Sequence, residues 1–424
     1  MKDVRIVGED ITCKEMEQAL SSWLEGFGDK LKKVLLLPPD YTRNHSKAGL
    51  VTDVLYKKLS PDTQVDIMPA LGTHAAVSDE ERIKMFGPDI PKDRFIVHNW
   101  RDDVVKIGEI PASYVKDVSR GMVDFPISVD INRRLLDESY DLIISIGQVV
   151  PHEVVGMANY TKNVLVGCGG KEIIDKSHFL GAVWGLENLM GKDHSPVRKV
   201  FDYAEERFLK DIPLQYILTV TTTQDDVTQV RGLWAGRRRE LFEEAVSLSQ
   251  RLNFTLLDDP LDTVVVYLDP EQYKSTWLGN KAIYRTRMAI ADDGDLIIIA
   301  PGVKHFGEDK DIDVLIRKYG YTGTPRILDL SNKEDDLKNN LSAAAHLIHG
   351  SSEGRFRITY APGHLTREEV EGVNFEYMPL EEALNLYKPD MLREGFNTVD
   401  GKTIFFIGNP GKGLWALKSR FFKE

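Results

Sequence analysis

Apolar and polar positions fall in two kinds of block along this chain. Short runs rich in leucine and β-branched residues end at proline, glycine or a polar loop. Longer stretches with apolar residues at helical spacing follow them. Val34–Leu37 reads as a strand stopped by Pro38-Pro39, and the loop Asp40-Tyr41-Thr42-Arg43 follows. Ser46 with Leu50, Val54 and Leu55 predicts a helix. Gln64–Met68 is a second strand, followed by Ala70-Leu-Gly-Thr-His74. Ser78-Asp-Glu-Glu81 has the form of a capping box and opens a helix that Gly87-Pro88 ends. Arg94–His98 reads as a third strand, and residues 104–128 as shorter β segments. Asp141-Leu-Ile-Ile-Ser-Ile146 is a buried strand ended by Gly147.

Helical spacing returns near 179–190 and 196–209. Ile217–Thr223 is β-like, and Arg238–Leu252 is a helix with Leu241, Ala245, Leu248 and Leu252 on one stripe. Asp258-Asp259-Pro260 reads as a connection. Beyond it the pattern resumes: a strand at Thr263–Leu268, helix over Gln272–Ile290, and a strand at Leu296–Ala300 that leads into Pro301-Gly-Val-Lys304. Ser331 is expected to cap a helix striped by Leu337, Leu341, Ala344 and Ile348. Further strands are expected at 355–360 and 403–407. This alternation predicts an α/β protein: two α/β domains with largely parallel sheets and an active-site cleft between them. The expected boundaries are 1–258 for the first domain and 262–402 for the second. The segment 403–424 is C-terminal and could return to the first domain.

In parallel sheets the loops after the strands gather on one rim, at the carboxyl ends, where ligands bind. Asp40, Arg43, His74 and His152 each follow an expected strand. They are far apart in sequence and become neighbours if the strands are parallel. A lone histidine after a strand is more often a surface or structural residue, and Asp40 with Arg43 could be a local loop ion pair. Convergence of several on one rim favours the functional reading. The loop after Ile146 adds Lys162, ten residues beyond His152, and His178, sixteen further. A histidine can move a proton or bind a metal, and a lysine in apolar surroundings can become a nucleophile or covalent anchor. Either could equally be an ordinary polar residue. Gly167-Cys-Gly-Gly170 looks like a phosphate loop but has neither common phosphate-binding spacing. Cys168 reads as a small buried residue.

Composition narrows the class. At 424 residues the chain exceeds one ordinary core. The 42% hydrophobic and 28% charged residues are globular values. A net charge of −12 and a pI of about 5.4 argue against general nucleic-acid binding. No run approaches membrane-spanning length, and the opening MKDVRIVGED has no signal-peptide core. Two cysteines without zinc or redox spacing fit a reducing compartment. The expectation is a cytoplasmic protein without nucleic-acid or membrane partners; the oligomeric state is left open.

Taken together, Asp40-x-x-Arg43, Gly72-Thr-His74, Pro151-His152 with Gly156, Lys162 and His178 resemble the nickel-pincer lactate racemase family of 2-hydroxyacid racemases and epimerases. The likeness runs over most of the chain. It implies a nickel-pincer nucleotide, a pyridinium-3-thioamide-5-thiocarboxylic acid mononucleotide holding nickel. By the resemblance, Lys162 joins that cofactor through a thioamide and His178 supplies a nickel ligand. His74 and His152 are implied as acid/base groups. Arg43 and, by a looser match, Lys304 are implied to hold the substrate carboxylate, and Asp40 to orient the cluster. In the commoner pattern a glycine-rich run precedes the anchoring lysine; here it reads Met157-Ala-Asn-Tyr-Thr161. The implied substrate is a small 2-hydroxy acid such as lactate, malate or a sugar acid. Two other readings stand beside this one: a lyase or aldolase using Lys162 as a Schiff base, and a non-catalytic carboxylate- or nucleotide-binding protein.

Overall fold

The computed structural model describes residues 3–28, 31–224 and 227–422. Its contacts divide the chain into two compact units. One is the chain up to Ser177 together with Gly191–Asn253; the other is His178–Met190 with the chain from Phe254 onward.

The first unit is built on a six-stranded sheet. In spatial order its strands are Val4–Val7, Val227–Gly236, Leu214–Gln224, Leu142–Gln148, Lys33–Leu37 and Gln64–Ile67. The last four run parallel, with Leu36 opposite both Ile67 and Ile144. Both faces of the central strands are covered, which is why they read as unbroken apolar runs: Leu35, Leu36, Leu37, Ile143 and Ile144 are all fully buried. On one face, Val34, Leu36, Ile144 and Ile146 pack with Leu20 and Trp23 of helix Cys13–Glu25 and with Val51 and Leu55 of helix Ala48–Leu59. Burying each such side chain contributes about 1.5–3 kcal/mol.

The expected capping box is present. Ser78 Oγ accepts the Glu81 N–H at 3.3 Å, and Glu81 Oε2 accepts the Ser78 N–H at 2.8 Å. Arg94–His98, expected as a strand, is not one. A 3-10 turn occupies Lys92–Arg94, and Phe95 alone bridges to Ile67. A short apolar run outside the sheet's edge has the same pattern as a strand but gains no second row of bonds. Val227–Gly236, which sequence alone did not single out, pairs antiparallel with Leu214–Gln224.

The second unit carries another six-stranded sheet. Its order is Glu376–Tyr377, Arg357–Pro362, Ile290–Ala300, Leu261–Tyr267, Lys402–Ile407 and Gly395–Val399. All neighbours are parallel except the last pair. Val265, Ile297, Ile299, Ile404 and Phe406 form its core with Ala383 of helix Leu380–Tyr387. Ser331 lies inside helix Thr324–Lys333, its hydroxyl bonded to Ile327 O, and caps nothing. Asn340 is the cap instead, accepting the Ala343 N–H ahead of helix Leu341–His349. The single expected stripe therefore belongs to two helices, with the break at the Asn339-Asn340 pair. Likewise Gln272–Ile290 holds two short helices, Thr276–Gly279 and Lys281–Thr286. Among the described residues no helix is long and apolar enough to cross a membrane.

Candidate active site

Three parallel neighbours, Gln64–Ile67, Lys33–Leu37 and Leu142–Gln148, end on the same rim of the first sheet. Asp40, His74 and His152 follow these three strands. Beyond Leu37 the chain stays in register with its neighbour: Pro39 bridges to Ala70, and Ala70 N–H donates to Pro38 O at 2.7 Å. This pairing carries the Asp40 and His74 loops off the sheet side by side.

Asp40 caps the 3-10 helix Tyr41–Ser46, with Oδ1 accepting the Thr42 N–H at 2.9 Å and also the Thr42 hydroxyl. Its other oxygen lies 3.3 Å from His74 Nδ1. Burial by itself would raise the Asp40 carboxyl. The His74 imidazole facing its second oxygen overcomes this, helped by Arg43 and Thr42, and holds it well below the usual carboxylate range. An ionised Asp40 therefore faces Nδ1 of a half-exposed imidazole. A neutral His74 with its proton on Nδ1 keeps a lone pair on Nε2.

Lys162 sits on the short helix Thr161–Leu165. The next residue, Asn163, pins that helix to the rim: its Nδ2 donates to Leu37 O at 3.0 Å and to Ser145 Oγ at 2.9 Å. Two neighbouring strands are thereby tied to the helix that bears the lysine. Burial is the largest influence on the Lys162 amine and the charge of Arg43 the next, and together they lower it to about 8. Asp40 and Glu153 oppose the shift, while Arg198 adds to it. Asp40, Arg43, His74 and Lys162 thus form one electrostatic cluster. A lysine lowered this far exposes much more free amine near neutrality than an ordinary one.

His152 lies in a tight hairpin, Pro151–His152 paired with Gly156–Met157, and is 6% exposed. Its Nδ1 accepts the Val154 N–H at 3.1 Å. A backbone N–H can only donate, so the neutral ring carries its proton on Nε2. A His74 with its proton on Nδ1, toward Asp40, would be the opposite tautomer to His152.

The glycines after Lys162 close backbone contacts. Gly167 O accepts the Gly72 N–H at 2.8 Å, which ties the His74 loop to the segment following Lys162. A Cβ at Gly167 would lie 2.4 Å from Asn163 O and 2.7 Å from Ala70 Cβ. Gly167→Ala is expected to destabilise the protein by about 1–3 kcal/mol, read as a lower urea midpoint with unchanged slope. An unchanged midpoint would show that the His74 loop is not held there. Cys168 is fully buried and burial pushes its thiol up to about 12, which makes it inert.

His178 and Lys304 belong to the second unit. His178 is part of helix Lys171–Trp184 and is half-buried; Lys304 is exposed in the turn after Ile290–Ala300, its N–H donating to Lys274 O at 3.0 Å. Among the described residues, Asp193, His194 and Glu243 converge closely enough to share an ion. Asp193 is already paired with Arg239 at 2.9 Å, and the other two are exposed. Sequence reading missed Asn163, Glu153 and Arg198. A helical lysine-asparagine pair gave no sign that the asparagine would bond two strands.

Residues 9–187 match the lactate racemase N-terminal domain family. The chain is 22% identical over 312 residues to the lactate racemase of Thermoanaerobacterium thermosaccharolyticum, across 70% of this chain and 66% of that protein. It is 26% identical over 226 residues to the lactate racemase of Lactiplantibacillus plantarum, across 51% of this chain and 47% of that protein. The aligned stretch thus spans just under two thirds of one relative and about half of the other. A Thermotoga maritima protein of known crystal structure superposes with a TM-score of 0.84 at 27% identity, covering 97% of this chain and 100% of that one. The lactate racemase apoprotein from T. thermosaccharolyticum shares the fold, with a TM-score of 0.71 at 16% identity over 97% of this chain and 94% of that one. Over residues 9–187, which carry the Asp40, His74 and Lys162 cluster, the chain is similar to the lactate racemase N-terminal domain family.

Proposed function

We propose that this protein is an isomerase, a nickel-pincer-cofactor-dependent racemase or epimerase of a small 2-hydroxy acid, acting in the cytoplasm. The observation that carries the proposal is the cluster of Asp40, Arg43, His74 and Lys162 on one sheet rim, within the stretch that matches the lactate racemase N-terminal domain family. The residues fit the cofactor. A primary amine lowered to about 8 suits acyl attachment, and Arg43 beside it suits an anionic ligand. Lys162 would hold the cofactor covalently and His178 would give the nickel a protein ligand. When bound, the cofactor supplies a reversible acceptor for hydride.

The remaining chemistry falls to the chain. The hydrogen on the carbinol carbon of a 2-hydroxy acid is a very poor proton acid beside a carboxylate. Its loss as hydride becomes easier if the hydroxyl proton leaves with it. His74 would take that proton at Nε2, and Asp40 at Nδ1 would stabilise the resulting imidazolium. His152 would present its Nε2–H to a substrate oxygen. To act as a base for the opposite stereoisomer it must give up its bond from Val154. Arg43 would hold the substrate carboxylate by its planar fork, and Lys304 would add a second charge.

Loaded protein should invert one or more 2-hydroxy acids, from lactate and malate to sugar acids, without incorporating solvent deuterium at the carbinol carbon. Failure to invert any of them, with nickel and cofactor shown to be bound, would sink the proposal. The lowered Lys162 amine also favours one second reading, a Schiff-base lyase or aldolase. Borohydride trapping of a keto acid on Lys162 in cofactor-free protein would support that reading instead.

A further inference from the structure

Three residues ahead of Lys162 the backbone turns left-handed. Asn159 has φ +69° and Tyr160 φ +57° with ψ −133°. Neither is glycine, so both conformations carry strain and persist only where the surroundings enforce them. Tyr160 is held by its ring, packed against Tyr216 at 4.3 Å and stacked on Phe242 at 5.2 Å, and by its hydroxyl, which donates to Arg237 O. Asn159 Oδ1 accepts the Tyr160 N–H at 2.6 Å.

One buried cation grips this stretch. Arg198 is 1% exposed, on the first turn of helix Pro196–Phe208. Its guanidinium donates to Thr161 Oγ1 and to Met157 O, each at 2.7 Å, and to Asn159 O at 3.4 Å. The same group lies 4.5 Å from the centre of the Phe242 ring. Ser195, which caps this helix by accepting the Arg198 N–H at 3.0 Å, also donates to Val155 O in the His152 hairpin at 3.1 Å. A single helix start therefore fixes the chain on both sides of the stretch that leads to Lys162.

We infer that Arg198 is a positioning residue for Lys162, its planar fork locking the left-handed Met157–Thr161 loop so that the anchoring amine is aimed from a rigid support. The inference rests on the anchor role proposed for Lys162. A rigid loop matters because an amine that must attack one acyl carbon gains from being held in place. Arg198 also acts by charge. The charged groups that bear on the Lys162 amine are Arg43, Asp40, Glu153 and Arg198, and the arginines favour the free amine. A lysine at position 198 would keep the charge and lose the three-point fork.

The test uses cofactor-free protein and needs no turnover. Lys162 acetylation by acetic anhydride is followed by peptide mass spectrometry across a pH series, with exposed Lys210 as reference. In Arg198→Met the Lys162 midpoint should rise by at least about half a pH unit, a roughly threefold lower rate at fixed pH below it. Arg198→Lys should fall between Arg198→Met and wild type. A folded Arg198→Met, with wild-type near-ultraviolet circular dichroism and a superimposable Lys162 profile, would overturn the inference. Should Arg198→Met fail to fold, Thr161→Val decides, since it keeps the arginine and removes one acceptor. A Lys162 rate lowered about twofold or more supports the inference, and an unchanged profile overturns it. Cofactor-loaded wild type with no adduct on Lys162 would refute the anchor role itself, and the acetylation profile would still report whether Arg198 controls the amine.

Discussion

Lys162→Ala protein, exposed to cofactor and then denatured, is expected to show no added mass on the peptide spanning position 162, and its racemisation should fall to background. Wild type treated alike should keep the adduct. The expectation follows from the position of the amine. Asn163 ties its helix to Leu37 and Ser145, so the lysine cannot drift from the rim. Burial and Arg43 lower the amine to about 8, which makes it an acyl acceptor under conditions where ordinary lysines are charged. Lys162→Arg should fail as completely, because a guanidinium keeps the charge and offers no free amine. His178→Ala should fail differently. It keeps the adduct but removes one proposed nickel ligand, so nickel should be lost faster to chelator. If His178→Ala retains nickel as wild type does, another residue is the ligand. If loaded wild type carries no adduct on Lys162, the anchor lies elsewhere.

The contrast between these two positions shows what could be read from the chain. The strands Lys33–Leu37 and Leu142–Gln148 announce themselves as apolar runs because both of their faces are buried, while the edge strand Gln64–Ile67 alternates polar and apolar residues. Once they are taken as parallel, Asp40, His74 and His152 must share a rim, and the sheet order has them so. The supports of the site are a different matter. Asn163 and Arg198 act through bonds to backbone carbonyls and hydroxyls of distant segments, which leave no periodic trace. The left-handed turn at Asn159-Tyr160 is hidden for another reason. A run without glycine gives no warning of positive φ, and here packing of the Tyr160 ring enforces what glycine would have allowed. Arg94–His98 and the Ser331 cap failed because local pattern cannot say whether a partner strand or a helix break lies next to it.

The tautomers lead to the second large effect. Asp40 lies 3.3 Å from His74 Nδ1, which favours a proton there and a lone pair on Nε2, whereas the Val154 N–H leaves a neutral His152 with an Nε2–H. In the proposed reaction His74 would accept a proton and His152 would donate a hydrogen bond. His74→Ala should lower overall inversion by about 10²–10⁴-fold, the range for loss of a general base. His152→Ala should lower it comparably, since the complete inversion engages both faces of the substrate. For a racemisation the equilibrium constant is one, so kcat/KM must fall equally in both directions and cannot reveal which histidine serves which isomer. Single-turnover oxidation of each pure stereoisomer, followed by cofactor absorbance, can. His152→Ala should still oxidise the isomer served by His74, and His74→Ala should not. Asp40→Asn is expected to behave like His74→Ala in this assay, because an amide can donate to Nδ1 and so trap the proton on Nε2. Replacing His152 with Gln should rescue part of the alanine loss, since the side-chain amide keeps a donor where the ring had one. If His74→Ala oxidises both isomers at the wild-type rate, His74 is not the base. If Asp40→Asn turns over as wild type does, the carboxylate does not set the tautomer.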